Sequence, residues 1–341
     1  MNNLIYLGYF LLKTNYKDLT ASIKCCRSKG FNVFRIILDM IWSSLRYGSS
    51  FVDYFNFHFY EKGYQQREKY ATMGDMYKFH KKLNDKSKIH FLDNKEQFAH
   101  HYASFCNTPI ILDRKSPELN NFIKSCVGQK LVFKDPLETA GRAVCIADIA
   151  VNQQGKILIA EKAYNEFLDF LFGKNNTVYV EKYLNQNKLI NEIAPTALNT
   201  IRVITIIDNK GDVQIIGSIF RISVDSDVDN FSRGNIAAEI DIKTGEVITG
   251  GIQKNSSCGK YLDFHPITHK QIKGFKIPMW DLIIDTVKNA ALVIPQIRTV
   301  GWDIAVLEDS VVIIEGNSKW NKDTWQIPAG YGKKNILIKY M

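Results

Sequence analysis

The stretch SVVIIEGNSKW, residues 310–320, sets an apolar run directly before polar side chains. Its four consecutive apolar residues, 311–314, are typical of a buried β-strand, and Glu315 and Asn317 follow at once. A short distance upstream, Asp303 lies inside a second apolar run, VGWDIAVL. Because burying an unpaired charge is costly, each of these two acids is expected to have a partner.

The two apolar runs predict a β-hairpin. A three-residue loop, residues 308–310, would pair Leu307 with Val311 and set Asp303 directly opposite Glu315. A two-residue loop would instead place the two acids on opposite faces of the hairpin. Because both acids would lie at the end of the hairpin, we expect them to be outside the packed core.

Asn317, two residues beyond Glu315, would share its face of the strand. Like charges that oppose each other are unfavourable unless a cation lies between them, and oxygen ligands of this kind suit magnesium. We therefore expect Asp303, Glu315 and Asn317 to bind magnesium. The alternative is two separate surface acids at the end of a strand.

The composition is that of a globular protein. With 341 residues, of which 45% are apolar, the chain can form one large core or two smaller ones. No apolar run approaches the roughly 18 residues of a membrane-spanning helix. The six cysteines form no C-x-x-C pair, which suits a reducing compartment, and we expect a cytoplasmic protein.

The positive charge is concentrated in the first hundred residues, which contain 16 Lys and Arg against 9 Asp and Glu. This region is free of proline and rich in aromatic residues, and its spacing predicts mainly helices. A basic face attracts anions, so we expect contact with an acidic glycan or with the inner face of a membrane; the alternative is an ordinary solvated helical surface. Nucleic acid is the least favoured partner, because the sequence has no nucleic-acid-binding motif.

From about residue 131, short strand-like runs such as TVYVEKYL, TIRVITIID and VQIIGSIFRIS are separated by turn signals. Helices are predicted at about residues 161–173 and 279–293. Strands mixed with hairpins and helices predict an α+β fold rather than a doubly wound parallel sheet.

Several charged residues in these runs are candidates for nucleotide chemistry, although the sequence has no G-x-x-x-x-G-K-[ST] and no G-x-G-x-x-G. Lys134 ends a strand, and a loop with Gly141 leads to the next strand, an arrangement that can cover phosphates. Glu181 lies in an apolar strand, and Arg202 lies at the head of another. Arg221 lies inside a strand, where an arginine needs an anionic partner.

In this order, these residues resemble the ATP-grasp superfamily, and most closely the sugar-transfer-associated ATP-grasp proteins. The similar segments are LNTIRVIT, DNFSRGNIAAEIDIKTGEV, HPITHKQIKGFKIPMWD and VGWDIAVL…VVIIEGN. The resemblance implies two α+β subdomains that clamp ATP, preceded by the basic helical region. The implied divisions are residues 1–90, residues 91–180 with the first subdomain, and residues 181–341 with the second subdomain and the metal site.

The resemblance also implies three groups of site residues. The nucleotide-binding group is Lys95, Lys134, Gly141, Glu181, Lys182 and Tyr183, the last two through their backbone beside the adenine. The catalytic group, which would face the transferred phosphate, is Arg202 and Arg221. The metal group, which would carry one or two magnesium ions, is Asp303, Glu315 and Asn317.

The function implied by the resemblance is an ATP- and Mg²⁺-dependent carboxylate–amine ligase that acts through an acyl-phosphate. It would join an amino acid or small amine to a carboxylate, for example a uronic acid of a capsule or another cell-surface polysaccharide. Two departures concern the loop near Lys134, which has one glycine and the acid Glu138, and Asn235, where related glutamate ligases tend to have glycine. The alternatives are an inactive nucleotide-binding scaffold of a glycan-assembly complex and an ATP-dependent kinase of a small molecule.

Overall fold

The structure, a computed structural model, describes residues 3–107, 110–134, 144–172, 177–254 and 260–341. Within these ranges, two six-stranded sheets carry the fold, and neighbouring strands in both sheets are antiparallel. This confirms the predicted α+β class.

The first sheet lies in the middle of the chain and has the strand order β1-β6-β2-β3-β4-β5. Its strands are β1 Ile110–Asp113, β2 Lys130–Lys134, β3 Val144–Val151, β4 Ile157–Ile159, β5 Lys162–Ala163 and β6 Thr177–Lys182. Its helices are α9 Pro117–Ser125 and α10 Tyr164–Phe172, and the second of these confirms a predicted helix. Leu119, Phe133 and Phe167 are fully buried in the core of this sheet.

The second sheet has the order β10-β9-β8-β7-β11-β12. Its strands are β7 Thr200–Ile207, β8 Val213–Ile222, β9 Ile236–Glu239, β10 Ile252–Gln253, β11 Thr299–Val306 and β12 Val311–Asn317. The helices of this part of the chain are α11 Lys188–Ile193, α12 Trp280–Ala291, α13 Lys322–Gln326 and α14 Lys334–Tyr340. Every residue of β7 and β11 is buried, as expected for inner strands that are covered on both faces.

The N-terminal region is helical, as predicted. Its helices are α1 Asn3–Lys13, α2 Tyr16–Ser28, α3 Val33–Tyr47, α4 Phe51–Asn56, α5 Tyr64–Arg67, α6 Met73–Leu83, α7 His90–Asp93 and α8 Lys95–His101. Helix α3 shows why the sequence folds this way, because its buried residues Ile36, Met40, Ser44 and Tyr47 recur at helical spacing and form one stripe.

Different helices pack on the two faces of the second sheet. On one face, Tyr54 and Phe79 of the N-terminal helices pack with Ile206, Ile219 and Trp325. On the other face, helix α12 packs with residues from α7 and α8 in a separate core. The second sheet is therefore enclosed between α4 and α6 on one face and α7, α8 and α12 on the other. The predicted divisions at residues 90 and 180 stay a prediction.

Buried ion pairs fasten the N-terminal helices to the C-terminal part of the chain. Lys322 Nζ lies 2.6 Å from Asp53 Oδ1 and 2.7 Å from Asp323 Oδ1, and Lys254 Nζ lies 3.1 Å from Asp323 Oδ2. Burial alone would lower the pKa of Lys322, but the two carboxylates outweigh it and hold the pKa above its usual value. These charges can be buried because they neutralise one another. Among the described residues, no helix is both long enough and apolar enough to cross a membrane.

His80 on α6 is a buried histidine that should make the stability of the fold depend on pH. Its ring lies 5.4 Å from that of Trp320, and its Nε2 is buried without a hydrogen-bond partner among the described residues. Burial, and then the nearby Lys319, lower the pKa of His80 to about 4. The unfolded chain, with an ordinary histidine pKa near 6.5, therefore takes up this proton first as the pH falls.

We expect His80 to reduce the free energy of unfolding by about 2 kcal/mol between pH 7 and pH 5. His80→Phe keeps a ring beside Trp320 but cannot be protonated, so its unfolding free energy should fall less over the same interval. Urea denaturation at the two pH values measures the difference. Parallel pH profiles for wild type and variant would contradict this role of His80.

Candidate active site

The hairpin of β11 and β12 places Asp303 opposite Glu315, as predicted, but its turn and its strand pairing differ from the predicted ones. The predicted pairing of Leu307 with Val311 is wrong: Val306 pairs with Val311, and Leu307 N–H donates to Ser310 O at 2.9 Å. The turn is therefore one residue tighter than the predicted loop.

A bulge in β12 compensates for the tighter turn. Ile304 pairs with Ile313 and Asp303 pairs with Glu315, so Ile314 is the extra residue. A bulge of this kind shifts the following side chains by one position and is common beside active sites. The bulge thus determines that the two carboxylates meet on one face.

A row of charged side chains crosses the second sheet at this level. Arg202 on β7 opposes Asp303 on β11, which opposes Glu315 on β12. Arg202 also opposes Ile219 on β8, and Arg221 follows two residues later on the same face. The sheet therefore brings together both predicted catalytic arginines and the two predicted acidic metal ligands.

Asp303 is the common acceptor of the two arginines. Arg202 donates to both of its oxygens, through Nε to Oδ1 and through Nη2 to Oδ2 at 2.6 Å. Arg221 Nη1 donates to Oδ2 at 2.7 Å. Asp303 is only 2% exposed, so the expectation that it lies outside the packed core is wrong. The N-terminal helices and the C-terminal segment cover much of this face of the sheet, which a reading of the hairpin alone could not reveal.

The charges of this cluster stabilise one another. Burial alone would raise the pKa of Asp303, but Arg202 and Arg221 outweigh it and hold the pKa well below its usual range. Burial would lower the pKa of Arg221, yet Asp229 and Asp303 raise it. Asp303 is therefore ionised at neutral pH, and both arginines have an anionic partner, as was predicted for Arg221.

Asp229 is a part of this cluster that the sequence analysis missed. Arg221 Nη2 donates to Asp229 Oδ1 at 2.9 Å, and Thr200 donates to Asp229 Oδ2 through its backbone N–H at 2.8 Å and through its hydroxyl. Asp229 begins the DNFSRGN segment, which follows Arg221 after a short loop. The unpaired arginine in the preceding strand was the signal that could have identified Asp229.

Glu315 differs from Asp303 because its side chain is exposed. The protein that is packed around it and the neighbouring Asp303 carboxylate nevertheless raise the pKa of Glu315. Asn317 Nδ2 donates to Glu315 Oε1 at 3.1 Å, which brings the third predicted metal ligand to the same place. Gly316 faces the other way: a Cβ atom there would lie 2.9 Å from both Leu92 and Trp302, so the position has no room for a side chain.

The residues present fit a magnesium ion. Among the described residues, no three His, Cys, Asp or Glu side chains form a metal-binding group. Asp303, Glu315 and the amide oxygen of Asn317 would supply part of a shell, in which both Asp303 oxygens also accept hydrogen bonds from the arginines. This is the usual pattern for magnesium, which keeps several waters and takes further oxygens from phosphates.

The described nucleotide-binding candidates gather on the first sheet and α8. Lys95, at the start of α8, has its Nζ 6.0 Å from the ring centroid of Tyr179 on β6. Lys134 pairs with Tyr179 across the sheet, and Glu181 lies two residues further along the same face of β6. Burial, and then Glu181, raise the pKa of Tyr179. Tyr179 was missed as a site residue, although its alternation with Glu181 was a signal for a shared face.

The backbone of Lys182 and Tyr183 already has partners in the protein. Lys182 O accepts from Asn107 Nδ2 at 2.9 Å, and Tyr183 N–H donates to Lys130 O at 3.2 Å. Both side chains are exposed. Gly141 lies outside the described residues.

A narrow cavity lies between the nucleotide-binding candidates and β12. It is lined by Tyr179 and Glu181 from the first sheet and by Ile313 and Ile314 from β12, with Phe98, Ala99, Cys106 and Asn107 beside them. Ile314 is the bulge residue and directly precedes Glu315. Tyr179 and Glu181 therefore lie next to β12, the strand that carries two of the three metal candidates, Glu315 and Asn317.

Comparison with known proteins identifies one family and several distant structures. The family model for sugar-transfer associated ATP-grasp matches residues 60–339. N5-carboxyaminoimidazole synthetase from Staphylococcus aureus, complexed with ADP, shares 10% identity at a TM-score of 0.41 over 73% of this chain and 54% of that chain. The ATP-grasp ligase PsnB, complexed with Mg, ADP and a phosphomimetic variant of its minimal precursor, shares 14% identity at 0.41 over 76% and 60%.

D-alanine–D-alanine ligase from Bacillus anthracis shares 12% identity at a TM-score of 0.39 over 74% of this chain and 68% of that chain. The chain thus spans little more than half the length of the first two of these structures. Among curated proteins, none matches the sequence.

Exchange of the two acids should separate stability from chemistry. Asp303→Asn should lower the free energy of unfolding by about 3 kcal/mol or more, because two buried arginines lose their shared carboxylate. Glu315→Gln, at an exposed position, should change it by less than about 1 kcal/mol. Urea denaturation at neutral pH compares the two variants. Equal stabilities would show that Asp303 does not hold the arginines in place.

Asp229 and Arg221 should be energetically coupled. Arg221→Lys keeps the charge but cannot reach two carboxylates at once, and Asp229→Asn removes one of them. A double-mutant cycle on unfolding free energies should give a coupling energy of about 1–3 kcal/mol. As a control, Asp229→Asn combined with Lys270→Ala, whose exposed ammonium pairs with Glu192, should be additive. Additivity in both cycles would show that Asp229 is not energetically coupled to Arg221.

Proposed function

The chain belongs to the sugar-transfer associated ATP-grasp family, and from this premise we propose that it is an ATP- and magnesium-dependent ligase that joins an amine to a carboxylate. The observation that carries the proposal is the convergence of Arg202, Arg221, Asp303 and Glu315 on one face of the second sheet. Phosphoryl transfer to a carboxylate develops negative charge on oxygen, and cationic groups held in place beforehand stabilise that charge.

The reaction has two steps. A carboxylate oxygen of the acceptor attacks the γ-phosphorus of ATP, so that an acyl-phosphate forms and ADP leaves. The amine then attacks the acyl carbon, the amide bond forms, and phosphate leaves. Magnesium, when bound, neutralises charge on the phosphates and holds them in position.

The protein's own residues would orient these reactants. Asp303 holds both guanidinium groups on one side through hydrogen bonds, which reduces the reorganisation needed when an anionic phosphate arrives. Arg202 and Arg221 would face the transferred phosphate and the acyl-phosphate. Glu315 and Asn317, at the exposed edge of the cluster, would bind the metal together with Asp303.

On α8 and the first sheet, Lys95, Tyr179 and Glu181 would surround the nucleotide. Lys95 and the ring of Tyr179 lie close together, and Tyr179 and Glu181 line the cavity that reaches β12. An adenine ring would stack on or beside an aromatic side chain here, while Lys95 and Lys134 would bind phosphate oxygens. The hydrogen bond from Asn107 to Lys182 O would have to open or be shared if the adenine used that carbonyl.

The acceptor is proposed to be a glycan carboxylate, for example a uronic acid of a capsule or another cell-surface polysaccharide. The description of the family as sugar-transfer associated supports this choice. An ATP-dependent small-molecule kinase and an inactive nucleotide-binding scaffold have other kinetic signatures, so one assay distinguishes all three functions.

Release of ADP should be measured with an acidic sugar alone, with an amine alone, and with both. A ligase needs both substrates for full turnover, and the acid alone should give a hydroxamate when hydroxylamine traps the acyl-phosphate. A kinase turns over with one substrate and gives no hydroxamate. Absence of turnover with a broad panel of acids and amines, combined with tight ATP binding, would favour the scaffold and contradict the ligase.

Lys95→Ala should weaken ATP binding by about tenfold, because it removes a charge that would bind phosphate. The matched control is Lys88→Ala, which removes a lysine that lies over the ring of Phe91 instead of Tyr179. Isothermal titration with ATP and magnesium measures both dissociation constants. Equal ATP affinities in the two variants would show that Lys95 does not bind the nucleotide.

A further inference from the structure

The outward faces of helices α1 and α3 are apolar. On α1, Tyr6 and Phe10 are buried, yet the opposite side of the helix exposes Ile5, Tyr9 and Leu12, the last with 85% of its surface accessible. A surface helix normally presents polar residues to water, and a helix that is apolar all round is normally buried. The described protein therefore leaves one side of α1 without a cover.

Helix α3, which packs against α1, repeats the pattern. Its buried stripe faces the core, while Phe34, Leu38, Trp42 and Leu45 are exposed on its other side. Phe34 is 71% exposed, and the ring of Trp42 lies 5.0 Å from that of the exposed Tyr64. Large apolar side chains that are exposed together on neighbouring helices mark an interaction surface.

The charge around these helices indicates what the surface contacts. The first fifty residues contain seven Lys and Arg against two Asp, and the exposed basic side chains include Lys13, Lys17, Lys24, Arg27 and Arg35. One of the two acids, Asp39, is paired with Arg67 at 2.7 Å. The apolar faces therefore belong to a segment of the chain with a large excess of exposed basic side chains.

We infer that α1 and α3 dock on the surface of an anionic lipid membrane, with their apolar side chains in the headgroup region and the basic side chains against lipid phosphates. Membrane-surface helices combine these features: an apolar face, Lys and Arg nearby, and Trp or Tyr at the boundary. A second copy of the chain fits less well, because docking of two such faces would bring two positive regions together. A soluble acidic glycan would satisfy the charges but would leave the apolar faces in water.

The geometry offers an internal fluorescence reporter. Of the five tryptophans, Trp42 is exposed, whereas Trp280, Trp302, Trp320 and Trp325 are buried. Vesicles with brominated acyl chains should therefore quench mainly the emission of Trp42. Trp42→Phe should bind the same vesicles and lose the quenching.

The binding test uses sedimentation with phosphatidylcholine vesicles with and without phosphatidylglycerol. We expect wild type to bind the anionic vesicles, to bind the neutral ones far less, and to be released at high salt. The double variant Lys17→Glu/Lys24→Glu should bind anionic vesicles about tenfold or more weakly. Lys210→Glu/Lys243→Glu, which changes net charge equally at exposed turns of the second sheet, should bind like wild type within about twofold.

The apolar contribution has its own matched pair. Leu12→Gln/Leu38→Gln removes two exposed leucines from the proposed surface and should weaken vesicle binding by about tenfold or more. Leu189→Gln/Leu282→Gln removes two exposed leucines from α11 and α12 and should leave vesicle binding unchanged. Because all four positions are exposed, thermal melts should show that each variant keeps the wild-type fold.

Three results would overturn the inference. The first is an equal change of vesicle binding in a test variant and its control, that is, in Leu12→Gln/Leu38→Gln and Leu189→Gln/Leu282→Gln, or in Lys17→Glu/Lys24→Glu and Lys210→Glu/Lys243→Glu. The second is a concentration-dependent dimer, seen by sedimentation velocity without lipid, that Leu12→Gln/Leu38→Gln abolishes; this would assign the surface to a second copy. The third is salt-sensitive binding to a soluble polyuronate with no binding to anionic vesicles, which would assign the basic residues to a glycan.

Discussion

The carboxylate of Asp303 holds the charged face of the second sheet together, because the guanidinium groups of two strands donate to it. Arg202 comes from β7 and Arg221 from β8, while Asp303 lies on β11. Arg221 extends the network to Asp229, and Asp229 fixes the start of β7 through Thr200. A guanidinium can be buried only beside an anion, so none of these residues can change charge independently of the others.

Much of this arrangement could be predicted because it depends on local sequence patterns. Alternation within a strand decides which side chains share a face, and two apolar runs separated by a short turn almost require a hairpin. The prediction that Asp303 opposes Glu315 is confirmed even though the predicted loop is wrong. The turn is tighter by one residue, and the bulge at Ile314 shifts the pairing by one residue so that Asp303 again lies opposite Glu315.

Other features depend on contacts between distant parts of the chain, which a single sequence does not reveal. Asp229 belongs to the site because a loop folds back onto β7, and Asn235 holds that loop through hydrogen bonds to Val228 O, Asn230 O and Val224 N–H. The polar side chain of Asn235 therefore fixes the conformation of this loop. The carboxylate of Asp303 likewise contacts two arginines from other strands, 101 and 82 residues earlier in the sequence.

The exposed edge of the charged cluster, at Glu315, is where we propose that a cation binds. Two arginines and two aspartates form the hydrogen-bonded network, in which both arginines share Asp303 and burial raises the pKa of Asp229. Glu315 is the exposed carboxylate of the cluster: the protein packed around it and the neighbouring Asp303 raise its pKa, and its side chain reaches solvent. A metal ion that approached from solvent would meet Glu315 first and would find Asn317 beside it. The hydrogen-bonded network would then supply arginines that bind an anionic phosphate, and the exposed edge would supply ligands for the cation. The phosphate and the metal ion of a metal–nucleotide complex would therefore bind at different positions on the same face of the sheet.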